Sequence, residues 1–279
     1  MKYTTKFLLV SVLGCLAAAF AGCAESTPEI YIKANQPFDD ECQSPTSASG
    51  TTTFVSRGIL DLFLSNEYVM APLVQNTLVP STSVTFGGAA SGGGGLTGNE
   101  WEANSISLTH AIVRFNAPDA LGVPLLSRIE IPLSGSMEPG GFAGLTLVPI
   151  TANIGNVLSQ STLLRENLDT TLTLELGLTF HGRTAGGVRV DSNEFVYPVD
   201  LCFGCLVDIP TEAVDRDFPL LPNCRGGLAE DTEGNLDTSQ FTQDVCFVGQ
   251  DDIIDCRAVC PIIVDDINGD QFGICEPTL

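Results

Sequence analysis

From Thr171 to His181 apolar and polar residues alternate without a break: Leu172, Leu174, Leu176, Leu178 and Phe180 against Thr171, Thr173, Glu175, Gly177, Thr179 and His181. A period of two belongs to a β-strand with one face buried and one wet. Such a strand needs a second layer to cover its apolar face. The run continues through Gly182-Arg183-Thr184-Ala185-Gly186-Gly187 into Val188-Arg189-Val190, which reads as a hairpin turning on its glycines. Further strands are expected over Phe54–Leu64, Thr77–Phe86, Ser105–Phe115, Ser127–Leu133, Leu145–Ile150 and Glu194–Leu201, with prolines and glycines between them at the spacing of a sandwich. One helix is expected between Thr151 and Leu164, where Ile154, Val157, Leu158 and Leu164 keep helical spacing and Thr151 or Asn153 can cap the free amides. Many strands with a single helix predict an all-β fold, an antiparallel β-sandwich of immunoglobulin-like or related type over residues 51–200.

The start of the chain has a different logic. Lys2 and Lys6 precede an apolar stretch from Phe7 through Phe20, and the small residues Ala21 and Gly22 come just before Cys23. This is the architecture of an export signal over residues 1–22, too short for a membrane span of about 20 apolar residues. Phe20-Ala21-Gly22-Cys23 resembles the lipobox of bacterial lipoproteins, with Phe20 where Leu is usual. Val12-Leu13-Gly14-Cys15 is a competing match that leaves a shorter apolar core. The resemblance implies acylation of Cys23 and attachment to the lipid bilayer, since several acyl chains make a stable anchor at about 0.8 kcal/mol per buried CH₂. By the sorting rule of that class, Ala24 after the lipidated cysteine implies the outer membrane. Either the periplasmic or the exterior face fits these residues. Residues 23–50, rich in Ser, Thr, Pro and acids, read as the lipid anchor and a spacer.

Residues 201–279 read as an acidic cysteine-rich module, with seven cysteines and 16 acidic residues against three arginines. Without Cys15 and Cys23 the chain keeps eight cysteines: Cys42, Cys202, Cys205, Cys224, Cys246, Cys256, Cys260 and Cys275. In an exported protein an even set reads as four disulfides with about 105 possible connectivities, Cys42 stapling the spacer to the distal segment. Two rival readings use Cys202-Phe203-Gly204-Cys205 and Cys256-Arg257-Ala258-Val259-Cys260, as zinc ligands or as a redox pair. The oxidising compartment argues against the first, and Pro210, breaking any helix after Cys205, against the second. The stretch from Cys246 to Asp252 leading to Asp255-Cys256-Arg257 is similar to the tail of uncharacterised cysteine-rich bacterial lipoproteins, a likeness that carries no activity with it.

Charge bears on partners. The chain has 34 Asp plus Glu, 12 Lys plus Arg and a net charge of −22, yet only 16% charged residues and a mean hydropathy of +0.23. The acidity therefore reflects missing bases in a chain that folds, not a solvated polyelectrolyte. Nucleic-acid binding is excluded, because phosphate contacts need clustered Lys and Arg.

Few motifs suggest chemistry. Asp266, Asn268 and Asp270 stand at alternate positions, as in the first half of a calcium loop, and resemble the start of a dockerin-like or EF-hand loop. Gln271 and Pro277 depart from that pattern at its sixth and twelfth positions, so an Asx-type turn competes with possible calcium binding. Asp251, Asp252 and Asp255 are further ligand candidates. Gly93, Gly95 and Gly98 match a dinucleotide fingerprint on paper, but a strand and not a helix is expected to follow. His110 and His181 are general-base candidates, with solvated strand residues as the competing reading. Trp101, between Glu100 and Glu102, could stack on a sugar or serve as a core edge. The sequence expectation is a non-catalytic structural or interaction protein of the cell envelope, contacting an envelope protein or polysaccharide. Alternatives are a calcium-stiffened adhesin or glycan binder, and an envelope hydrolase using a carboxylate pair.

Overall fold

The computed structural model describes residues 27–45, 53–81, 102–167, 170–209, 229–230, 236–237 and 245–259. Strands dominate, and the fold is all-β. Two sheets face one apolar core. The larger runs β2 (Gly58–Asp61), β10 (Phe195–Cys202), β8 (Leu172–Thr184), β4 (Ile106–Asn116), β5 (Arg128–Met137), and β9 (Arg189–Asp191) also pairs with β8. The smaller runs β1 (Ile30–Gln36), β3 (Tyr68–Asn76), β6 (Phe142–Gly144), and β7 (Leu147–Ile150) also pairs with β3.

The alternating run lies where its pattern puts it. Leu174, Leu176, Leu178 and Phe180 of β8 are fully buried and share one cluster with Ile106, Ala111 and Val113 of β4 and with Ile30, Ile32, Tyr68 and Met70 of the smaller sheet. The hairpin closes through the Gly187 N–H to the Thr184 carbonyl at 2.8 Å, with Gly187 at φ +88°. That left-handed φ is where glycine has no steric penalty.

Four expectations need correction. Residues 30–36 are strand and not spacer: Ile30 and Ile32 sit in the core and β1 pairs antiparallel with β3 from Ile30↔Asn76 to Gln36↔Ala71. Their short alternation is masked in sequence by the Ser, Thr and Pro around them. The strand expected over Thr77–Phe86 is preceded by the real one, β3, and residues 82–86 lie outside the described residues. β3 hides from a period-two search because both its faces are buried. Pro72 is tolerated there because its carbonyl faces the Leu145 N–H (3.1 Å) at the corner between β6 and β7, so its missing N–H interrupts no ladder.

The larger sheet is mixed, since β2 runs parallel to β10 from Gly58↔Val199 to Asp61↔Cys202. The expected helix is two short ones, α1 (Ala152–Leu158) and α2 (Thr162–Glu166). Leu158 and Leu164 are both buried, but six residues at about 100° each put them on different faces of one helix, so a break at Ser159–Ser161 turns Leu164 inward. Thr151 holds the N-cap position without a side-chain cap bond, and Glu67 Oε1 accepts Ala152 N–H (3.2 Å) instead.

The described part of the cysteine-rich segment is packed on the sandwich. β11 (Val207–Asp208) pairs parallel with β14 (Ile254–Asp255), and Ile254, Cys256 and Val259 form a cluster with Phe63 and Leu64 of the β2–β3 connection. A separate pair, β12 (Ala229–Glu230) and β13 (Leu236–Asp237), is antiparallel. Cys42 is bonded to Cys246, joining residues 204 apart, and Cys202 to Cys205; Cys256 is disulfide-bonded too. Cys224, Cys260 and Cys275 lie outside the described residues. No helix among the described residues is long and apolar enough to cross a membrane.

Candidate functional site: an acidic cleft at the Cys42–Cys246 staple

Where the end of β1, the start of β3 and residues 246–252 converge, they enclose a cleft of about 280 Å³. Two of its lining residues, Asn35 and Asp251, are the ends of a chain of polar side chains that is buried except at Asp251. Asn35 Nδ2 donates to Tyr197 Oη (3.2 Å), the Tyr68 and Tyr197 hydroxyls are 3.1 Å apart, and Tyr68 Oη donates to Asp251 Oδ2 (3.0 Å). Both ends of the chain are tied to backbone. Asn35 Oδ1 accepts Ala71 N–H (2.8 Å), Asp251 Oδ1 accepts Ile59 N–H (2.7 Å), and Gln250 holds Val69 by both N–H and carbonyl (2.7 Å each). Low local dielectric makes such a satisfied network rigid.

The electrostatics follow from burial. Desolvation raises the Asp251 carboxyl above the usual carboxylate range, against the lowering effect of the Ile59 amide and Tyr68 hydroxyl. Burial, and then the Asp251 charge, pushes the Tyr68 phenol well above its ordinary value; burial also raises Tyr197. Asp251 itself sits at φ +62°, a left-handed backbone that Asp tolerates better than most residues. Its oxygens are committed, since Oδ2 also receives Gln250 Nε2 (3.3 Å).

The walls add Asp39, Asp40 and Asp252 to Asp251, with Phe38 and Phe247 edge-to-face at 4.8 Å next to the disulfide. Asp39 shapes its own loop, Oδ1 accepting Gln43 N–H (2.7 Å) and Glu41 N–H (3.2 Å). No basic side chain lines the cleft among the described residues. Gln36 completes the wall. It is 1% exposed, and neither its amide oxygen nor its nitrogen has a hydrogen-bond partner. A buried amide left unpaired costs about 1–3 kcal/mol.

The residues singled out in sequence are distributed otherwise. Asp251 serves the network, and Asp255 is gripped by Arg257, whose Nε and Nη2 lie 2.9 and 2.6 Å from its oxygens and hold its carboxyl below the usual range. Asp61 lies beside Cys202 and Cys205, a grouping of metal-ligand type, but the sulfurs are bonded to each other and the carboxylate is occupied by backbone amides. In this disulfide form neither sulfur is a thiolate that could ligate zinc. His110 and His181 are cross-strand neighbours on β4 and β8. Cys23, Gly93, Gly95, Gly98, Trp101, Asp266, Asn268 and Asp270 lie outside the described residues.

Sequence reasoning missed Asn35, Gln36, Tyr68, Tyr197 and Gln250. The available signal was a pair of amides, Asn35-Gln36, at the end of an apolar strand. No protein-family model matches the chain, and no curated protein matches it.

Proposed function

We propose that this chain is a lipid-anchored, non-catalytic interaction protein of the bacterial outer membrane, and that its acidic cleft receives a basic peptide segment of an envelope partner. One observation carries the reading: a fully buried, unpartnered Gln36 amide in the wall of a cleft ringed by carboxylates. A primary amide offers one donor face and one acceptor, the complement of a peptide group. The carboxylates supply the counter-charge for a lysine or arginine side chain beside it. A binding role is favoured over a hydrolytic one because Asp251, raised as a general acid would be, spends its oxygens on Ile59, Tyr68 and Gln250. A general acid must present its proton to substrate.

The anchor at Cys23 rests on the lipobox resemblance, and the net charge of −22 fits a surface that attracts basic segments. The test uses the full chain in detergent, titrated with Nα-acetyl-lysine amide, Nα-acetyl-arginine amide and the neutral Nα-acetyl-norleucine amide while backbone amide resonances are followed. The cationic probes are expected to shift Gln36 and Gly249–Asp252 at millimolar concentration, and Gln36→Leu to fold yet respond several-fold more weakly. Equal shifts from the neutral probe, or none from any, would reject the reading.

A further inference from the structure

The disulfide in Cys202-Phe203-Gly204-Cys205 is one that the surrounding turn hardly needs. It joins residues only 3 apart, so opening it releases little chain. Other bonds hold the turn. Leu62 N–H donates to the Cys202 carbonyl (2.9 Å), Gly204 and Leu206 N–H donate to the two oxygens of Asp61 (2.7 and 2.9 Å), and Ile254 N–H donates to the Leu206 carbonyl (2.8 Å). Gly204 takes the left-handed φ of +80° at the reversal. None of these bonds passes through sulfur, so the same turn keeps the two sulfurs close in the reduced state.

The sulfurs are placed unequally. Cys202, the last residue of β10, is 0% exposed, whereas Cys205 is exposed. Disulfide exchange proceeds by attack of a thiolate on one sulfur of the bond, and access decides which. Here Cys205 offers the approach, and Cys202 is the leaving sulfur. Its release is accommodated. The Leu60 carbonyl oxygen, 3.8 Å from Cys202 Sγ, is an acceptor for the S–H that reduction creates, and the Asp61 carboxylate, within 4.8 Å of both sulfurs, disfavours a second negative charge beside it. No helix begins between Cys205 and Ile209, so no helix dipole activates Cys205 as an attacking group. The site is built to be attacked.

We propose that Cys202–Cys205 is an exchange-active disulfide that accepts two electrons from a reduced pair of cysteines on an envelope protein. A thiolate of that protein attacks Cys205 Sγ and forms a mixed disulfide; the Cys202–Cys205 bond breaks, and Cys202 leaves with the bonding pair and takes up the proton that the attacking thiol lost. The second thiolate of the same protein then attacks its own sulfur in the mixed disulfide, and Cys205 leaves with the pair and is protonated in turn. The envelope protein's cysteines end as a disulfide, and Cys202 and Cys205 end as thiols. The chain is a stoichiometric reactant in this exchange. None of Asp61, Cys202 and Cys205 lines the acidic cleft, so the proposal stands apart from the peptide-binding reading.

The test mixes the oxidised full chain in detergent with an excess of a reduced synthetic peptide carrying two cysteines, then blocks free thiols with N-ethylmaleimide. Tryptic cleavage after Arg189 and Arg216 isolates Cys202 and Cys205 from the other cysteines for mass spectrometry. Both are expected to be blocked, with one peptide disulfide formed per chain and the circular dichroism unchanged. Cys202→Ser treated with oxidised glutathione should gain an adduct on Cys205 about tenfold faster than Cys205→Ser gains one on Cys202. A Cys202–Cys205 bond that stays closed until the chain unfolds, or equal adduct rates in the two variants, would overturn the proposal. Where a variant fails to fold, the wild type decides: opening with the fold retained supports the site, and resistance removes it.

Discussion

Asp61→Ala is expected to destabilise the fold by about 3–5 kcal/mol, more than the loss of any single exposed side chain would. Asp61 is fully buried at the end of β2, where Oδ1 accepts Phe63 N–H (3.0 Å) and Gly204 N–H (2.7 Å), and Oδ2 accepts Leu206 N–H (2.9 Å). One carboxylate thus fixes the turn out of β2 and the Cys202–Cys205 turn out of β10, two strands that run parallel and leave the sheet together. Alanine removes the acceptor and leaves three backbone donors with no partner, each costing about 1–3 kcal/mol and not strictly additive. At roughly 2–4 °C per kcal/mol for a domain of this size, the melting temperature should fall by about 6–20 °C. Asp61→Asn should cost less, because its carbonyl oxygen still accepts while its NH₂ opposes one of the donors. Thermal unfolding followed by circular dichroism measures both; a loss below about 1 kcal/mol for Asp61→Ala would mean that the two turns hold without it.

Breaking the Cys42–Cys246 bond, in a Cys42→Ala/Cys246→Ala variant, is expected to cost about 2–5 kcal/mol and to open the cleft. The bond joins residues 204 apart in sequence, so it removes much conformational freedom from the unfolded chain, whereas Cys202–Cys205 joins residues only 3 apart. Loop-closure entropy grows with loop length, so the shorter bond should matter less to global stability. The local contacts point the same way. Phe38 and Phe247 pack edge-to-face beside the bond, and without it residues 37–43 keep chiefly the turn organised by Asp39. Urea unfolding should show a lower midpoint, and the amide-shift response of Gln36 to the cationic probes should fall with it. An unchanged midpoint would show that the segment is held by packing alone.

How much of the fold is legible depends on how local the signal is. β4 and β8 can be read because one buried face and one wet face write a period of two into the sequence. β3 cannot, since burial on both faces erases the period. β1 is lost for a third reason: two isoleucines in a polar neighbourhood are a weak signal until β3 is there to pair with. The helix cap illustrates the same limit, for its acceptor, Glu67, comes from a distant loop and not from Thr151.

The cleft is illegible for a topological reason. Tyr68 and Asp251 are 183 residues apart, and they meet where the Cys42–Cys246 bond, a pairing that cysteine spacing alone does not select, brings the distal segment to the sandwich. Composition announces an acidic surface without saying where it becomes concave. The histidines lie between these cases. Period two puts His181 on the polar face of its strand, yet its neighbour depends on register with β4, which a bulge between Leu108 and His110 shifts.

The central claim is that this folded body works from a membrane tether at Cys23. The measurement that bears on it most directly is incorporation of an alkyne-bearing fatty acid in growing cells, comparing the wild type with Cys23→Ser and following membrane partition of each. Label and outer-membrane attachment are expected in the wild type, with loss of both in Cys23→Ser. Label and membrane attachment persisting in the variant would contradict the claim.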